Sequence, residues 1–202
     1  MYIHRLIFRD VRNFAALDLL LWNDWTQQPL QSVLVTGPNG TGKATLLRAI
    51  AGLWENFGNW IHLRRALNAD QMAQRSLLLD AGLAAVEIRG LQPFPVWLFV
   101  ASTPAHWEEL QSLVADTTAR FVGEVRGGRG RPQFVPAEDD NTAEWLRDLT
   151  ERKERAELGT ATPEALPNLL FIGCRNPYYH HAATPRQPRS DHRAVVQMVP
   201  RL

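Results

Sequence analysis

Gly37-Pro38-Asn39-Gly40-Thr41-Gly42-Lys43-Ala44-Thr45 is the stretch on which the reading of this chain turns. It follows the apolar run Ser32-Val33-Leu34-Val35-Thr36 and leads into Leu46-Leu47-Arg48-Ala49-Ile50-Ala51-Gly52-Leu53-Trp54. A strand, a glycine-rich turn and a helix are expected in that order, the setting in which a backbone loop holds phosphate. Gly37, Gly40 and Gly42 permit left-handed angles that turn N–H groups inward. The helix, expected from about Gly42 to Trp54, brings the positive end of its dipole to the same point. Lys43 supplies a mobile ammonium for β- and γ-phosphates. The next residue should be Ser or Thr, a Mg2+ ligand, and it is Ala44. Thr45 cannot replace it directly, because one step along a helix rotates a side chain by about 100°.

A chain of 202 residues with 45% hydrophobic content can bury a sizeable core. Its formal charge of +1 excludes a global electrostatic attraction to nucleic acid and leaves only local contacts. Cys174 is the sole cysteine, so no internal disulfide forms and a reducing compartment is expected. The opening Met1–Arg5 lacks the layout of a signal peptide, and the longest apolar run, Phe94 to Ala101, is too short to cross a bilayer. These features predict a cytoplasmic protein without membrane insertion. Lysine occurs only at Lys43 and Lys153, and arginine makes up the other 20 of 22 basic residues. That scarcity makes the lysine of the loop harder to ascribe to chance.

Residues 2–9 alternate as a half-buried strand, Val11–Phe14 is a turn, and Leu17, Leu19 and Leu21 mark a second strand, so an antiparallel hairpin opens the chain. After the helix ending near Asn56–Asn59, a second helix is expected over about Leu67–Leu79. Ala84–Arg89 and Pro95–Val100 read as strands, and Thr103-Pro104 caps a helix carrying Trp107, Leu110, Leu113 and Val114 on one face. Arg120–Val125 and Gln133–Val135 are expected to pair. Residues 138–158 form a solvated helix with Glu151/Arg155 and Lys153/Glu157 at i,i+4, and Asn168–Ile172 is a final strand. From Arg175 the composition shifts to Pro, His and Arg without periodicity, which gives a lobe over 1–174 and an irregular tail over 175–202.

Phe8-Arg9-Asp10-Val11-Arg12-Asn13-Phe14-Ala15-Ala16-Leu17-Asp18-Leu19, followed at a suitable distance by Gly37–Lys43, resembles the N-terminal part of RecF/SMC-like ATPases of the ABC class, often called AAA-family ATPases. The match is good over the first 58 residues and only architectural beyond them. The resemblance implies an α/β fold, a P-loop NTPase lobe with an antiparallel hairpin at its N-terminus, incomplete without a C-terminal half. It implies ATP as ligand: Lys43 on the β/γ-phosphates, Gly37, Pro38, Asn39, Gly40, Thr41, Gly42, Ala44 and Thr45 around them, and Arg12 and Asn13 close by. Mg2+ is expected to be held weakly because of Ala44. A second ATPase head or the missing half, and DNA, are the implied partners, with hydrolysis coupled to DNA repair, chromosome handling or phage defence.

Several family features are missing. No LSGGQ-like signature, Walker B acid or switch histidine is found, so no catalytic residue is assigned. Leu77-Leu78-Leu79-Asp80 imitates a Walker B start, but Ala81 replaces the acid and chance accounts for it better. Leu46–Trp54 also resembles ABC transporter nucleotide-binding subunits, and a nucleotide-sensing module without turnover is a further alternative. Phe14 is read as a core aromatic ahead of an adenine stack. The Arg126–Arg131 segment is read as a solvated hairpin tip ahead of a phosphate-binding loop. Residues 175–202 carry five Arg and one Asp, with Tyr178-Tyr179 as stacking surface, a weak signal for DNA. Cys174, His180, His181 and His192 match no zinc spacing, and no metal site is assigned to protein side chains.

Overall fold

A computed structural model describes residues 1–30, 32–127, 131–136, 141–157, 168–172 and 195–199. Its centre is a mixed sheet built on two strands with no solvent face. β5 (Leu83–Arg89) is buried from Leu83 to Ile88, and β6 (Val96–Ala101) is buried throughout. They pair antiparallel, with Val86 opposite Leu98. β1 (Tyr2–Val11) adds antiparallel to β5, and β2 (Phe14–Leu20) to β1, which forms the hairpin expected from the sequence. On the other side β7 (Arg120–Val125) lies parallel to β6, and β8 (Gln133–Val135) antiparallel to β7. The order is β2-β1-β5-β6-β7-β8. β3 (Trp22–Asn23) and β4 (Gln28–Pro29) form a small separate hairpin.

Alternation along the strands divides the core in two. Leu6, Phe8, Ala84, Val86 and Val100 meet Leu46, Ile50, Leu53 and Trp60 of helix α1 (Lys43–Leu63). Ile7, Leu83, Ala85 and Phe99 meet Leu110 of helix α3 (Pro104–Leu113) on the other face. α3 also makes the crossover that the parallel pair β6 and β7 requires. Its start is as expected: Thr103 caps it by accepting from the His106 amide, and Pro104 occupies a first-turn position. Helix α4 (Asn141–Glu157) adds Leu146 and Leu149 to the α1 side, and Trp145 stacks on Phe57 at 6.2 Å between centroids. The expected Glu151–Arg155 pair forms at 3.5 Å, beside Asp148–Arg152 at 2.8 Å. The Lys153/Glu157 pair lies outside the described side chains.

Four expectations are corrected. Ser32–Thr36 forms no strand: β1 and β5 are already paired to each other, no described strand offers the run a ladder, and Val33 and Leu34 are exposed. α1 does not stop at Asn56–Asn59 but continues to Leu63. Asn56 is fully buried there, its amide oxygen accepting from the Ala73 N–H at 2.8 Å. The helix expected over 67–79 shrinks to α2 (Arg75–Leu78), because the Leu67 amide is drawn to the Glu124 carboxylate and Ala73 to Asn56. Leu77 and Leu78 are therefore helical, unlike a Walker B strand. Finally, β10 (Val195–Val199) pairs antiparallel with β9 (Asn168–Ile172), so the tail is not irregular throughout; β-branched Val195, Val196 and Val199 favour that conformation.

The return from α1 is fastened by one buried ion pair. Glu124 on β7 is wholly buried, accepting from the Leu67 amide at 2.8 Å and from Arg126 Nη1 at 2.5 Å. Arg126 also reaches the Leu67 carbonyl at 3.4 Å. Burial pushes the Glu124 carboxyl up, and the Leu67 and Arg126 bonds offset this only in part. The folded chain therefore binds that proton more tightly than the unfolded chain. The contribution of this carboxyl to stability is fully present below its ordinary value and is lost as pH rises through the folded one. Urea denaturation should show Glu124→Ala destabilised by about 3–5 kcal/mol, since it strands Arg126. Glu124→Gln should flatten the decline of stability with rising pH; an unaltered slope would contradict the assignment.

Candidate functional site

The glycine stretch forms a loop ahead of α1 whose backbone follows its sequence. Gly37, Gly40 and Gly42 all have positive φ, at 145°, 85° and 97°. Gly42 is the N-cap of α1, with no side-chain cap and no acidic residue in the first turn. The first helical bond of this turn runs from the Leu46 N–H to the Gly42 carbonyl at 2.9 Å. The N–H groups of Lys43, Ala44 and Thr45 precede it and have no acceptor within the helix. The positive end of a 21-residue helix is thus left without a negative side chain, at the place where the sequence expects phosphate.

Lys43 closes the loop on itself. Its Nζ donates to the carbonyls of Gly37 at 2.6 Å and Pro38 at 2.7 Å, the residues that begin the stretch. An ammonium has three donors, so one N–H remains for an incoming anion. Thr41 Oγ1 donates to the Pro38 carbonyl at 2.9 Å and fixes the same turn. Pro38, Asn39 and Gly40 are exposed. Ala44, also exposed, places a methyl group where a hydroxyl ligand is expected. Thr45 lies on the next helical position, partly buried.

The β1–β2 turn is the second wall. Asn13 donates its side-chain N–H to the Gly40 carbonyl. The Phe14 ring fills the space in front of Gly42, where a Cβ would meet its atoms at 2.8 Å. Phe14 also packs on Phe8 at 6.0 Å, which agrees with its reading as a core aromatic. Arg12 is exposed with φ 50° and makes no hydrogen bond within the described residues. Of the two polar residues expected near the loop, Asn13 touches it, and Arg12, its neighbour in the chain, is exposed.

Other candidates fall elsewhere. Arg126 belongs to the buried pair with Glu124, residues 128–130 of the arginine segment lie outside the described residues, and so do Cys174, Tyr178, Tyr179, His180, His181 and His192. Among the described residues no group of three or more His, Cys, Asp or Glu could hold a metal ion, and no helix is long and apolar enough to cross a membrane. The sequence reading missed the carbonyl clamp on Lys43 and the wedge of Phe14 against Gly42. The clamp had a local signal in the spacing of Gly37 and Lys43, whereas the wedge depends on tertiary packing.

No family model, curated protein or solved structure matches the chain. The site is therefore defined by its own geometry. Gly42 is required both by its positive φ and by the Phe14 ring. Gly42→Ala should destabilise the chain by about 1–3 kcal/mol. Adding Phe14→Leu should recover only the steric share, read as thermal midpoints of the single and double variants; full recovery would remove backbone strain from the account.

Proposed function

We propose that the chain binds a nucleoside triphosphate, ATP, at the loop Gly37–Thr45. The observation that carries this reading is the clamp of Lys43 on the Gly37 and Pro38 carbonyls, which closes the loop in front of an uncapped helix terminus. The remaining Lys43 N–H and the open amides of Lys43, Ala44 and Thr45 would then face the β- and γ-phosphates. Asn13 orders the loop by holding Gly40, and Arg12 is free to meet a phosphate at its edge.

The residues present do not fit a directly ligated Mg2+. Ala44 has no oxygen, and the described residues contain no carboxylate or imidazole cluster to replace it. Mg2+ would arrive with the nucleotide and keep its waters. The reading thus centres on binding. As a lobe of a RecF/SMC-like ATPase, the chain would turn ATP over only together with a C-terminal ATPase half or a second head, with DNA as the object of the work. Val33-Leu34-Val35 supports the need for completion: it has strand-forming composition, pairs with no described strand, and leaves Leu34 74% exposed shortly before the loop. A second reading, a nucleotide-sensing module without turnover, is favoured by the methyl group of Ala44.

Titration with a fluorescent ATP analogue tests the site. Lys43→Ala should weaken binding at least about tenfold while leaving the circular dichroism spectrum unchanged. Chelating Mg2+ should alter the affinity of the native chain little, and Ala44→Ser should make it Mg2+-dependent. Equal affinity for the native chain and the Lys43→Ala variant would overturn the assignment.

A further inference from the structure

The lack of a hydroxyl at Ala44 has a counterpart one turn further along α1. The helix buries most of its surface, and its exposed residues, Ala44, Arg48, Glu55, Gly58 and His62, follow a single stripe. Arg48 comes four residues after Ala44, about 6 Å along the axis and on the same face. Helical side chains lean back toward the N-terminus, so Arg48 covers the turn that contains Ala44. The methyl group of Ala44 puts little bulk between that guanidinium and the loop, and it offers no acceptor.

Arg48 is also uncommitted. Arg5, Arg9, Arg89, Arg126 and Arg152 each pair with a carboxylate. Among the described residues Arg48 makes no hydrogen bond and no ion pair. α1 itself supplies no counter-charge near it: Lys43 to Trp54 contains no acidic residue, and Glu55 lies about 10 Å further from the loop. A cation in the first turns of a helix opposes the helix dipole. Lys43 and Arg48 both stand there without a compensating acid, an arrangement that an incoming anion relieves.

We propose that Arg48 takes the place of the missing metal, its guanidinium reaching past Ala44 to neutralise the β- and γ-phosphates of a nucleotide bound without Mg2+. The inference rests on the reading of Gly37–Thr45 as a nucleotide site. A bound metal would spread its charge over those same oxygens. The planar fork of arginine can instead give two parallel N–H bonds to one phosphate. The ligand class of the loop is then the metal-free triphosphate as much as its Mg2+ complex.

Isothermal titration calorimetry of the full chain with ATP, once with a chelator and once with Mg2+, tests the proposal. Arg48→Gln keeps a good helix former at an exposed position and removes only the charge. Without metal it should bind ATP at least about tenfold more weakly than the native chain. Mg2+ should restore much of that loss in the variant while changing the native affinity little. Arg65→Gln, which removes an exposed arginine just past the far end of α1, should bind as the native chain does. Native affinity in Arg48→Gln without metal, an equal loss in Arg65→Gln, or a loss that Mg2+ leaves untouched would each overturn the role of Arg48. Should Lys43→Ala weaken ATP while Arg48→Gln does not, the loop reading stands and this inference alone falls. Absence of ATP binding by the native chain would overturn both.

Discussion

The burial of β5 and β6 on both faces is the constraint from which the rest of the architecture follows. Neither strand can turn a face to water, so two separate covers are needed, and α1 and α3 supply them. α1 cannot be moved without opening Leu6, Phe8, Ala84, Val86 and Val100 together. Its seat fixes where its N-terminus ends, against the β1–β2 turn, and thus fixes the position of the glycine loop. The far end of the helix is tied separately: the Ile61 carbonyl accepts from Thr150 of α4 at 3.0 Å. The loop is the exposed end of an element held along its whole length.

What was legible in the sequence was what local chemistry decides. The alternation of Ile3, Leu6 and Phe8, the continuous apolar run of β6, and Thr103-Pro104 each produced the element they imply. The positive angles of Gly37, Gly40 and Gly42 were legible for the same reason, since only glycine takes them without strain. What was illegible depended on residues far away. Asn56 has the composition of a helix stop, yet Ala73 satisfies its amide and the helix runs on. Leu67–Leu79 has helical spacing, yet a carboxylate 57 positions along the chain takes the Leu67 amide. Val33–Val35 reads like β6, but composition does not supply a neighbouring ladder.

The loop and the hairpin before it form one mechanical piece. Asn13 holds the Gly40 carbonyl, and Phe14 seats between Gly42 and Phe8 of the core strand. A change in the loop is therefore felt by β1 through an aromatic contact rather than along the intervening chain. The same strand carries Arg9, whose Nε pairs with Glu109 of α3 at 2.7 Å on the opposite face. β1 is the member that links the two layers to the glycine stretch.

The clamp on Lys43 also has a chemical signature. Only two lysines occur in the chain, Lys43 and Lys153, so an acylating reagent meets two side-chain amines and the N-terminus. Acylation strips Lys43 of its charge and of donors that it needs to grip both Gly37 and Pro38. Peptide mass mapping can then follow the loop with almost no background, each modified Lys43 recording a moment when the ammonium had left its two carbonyls.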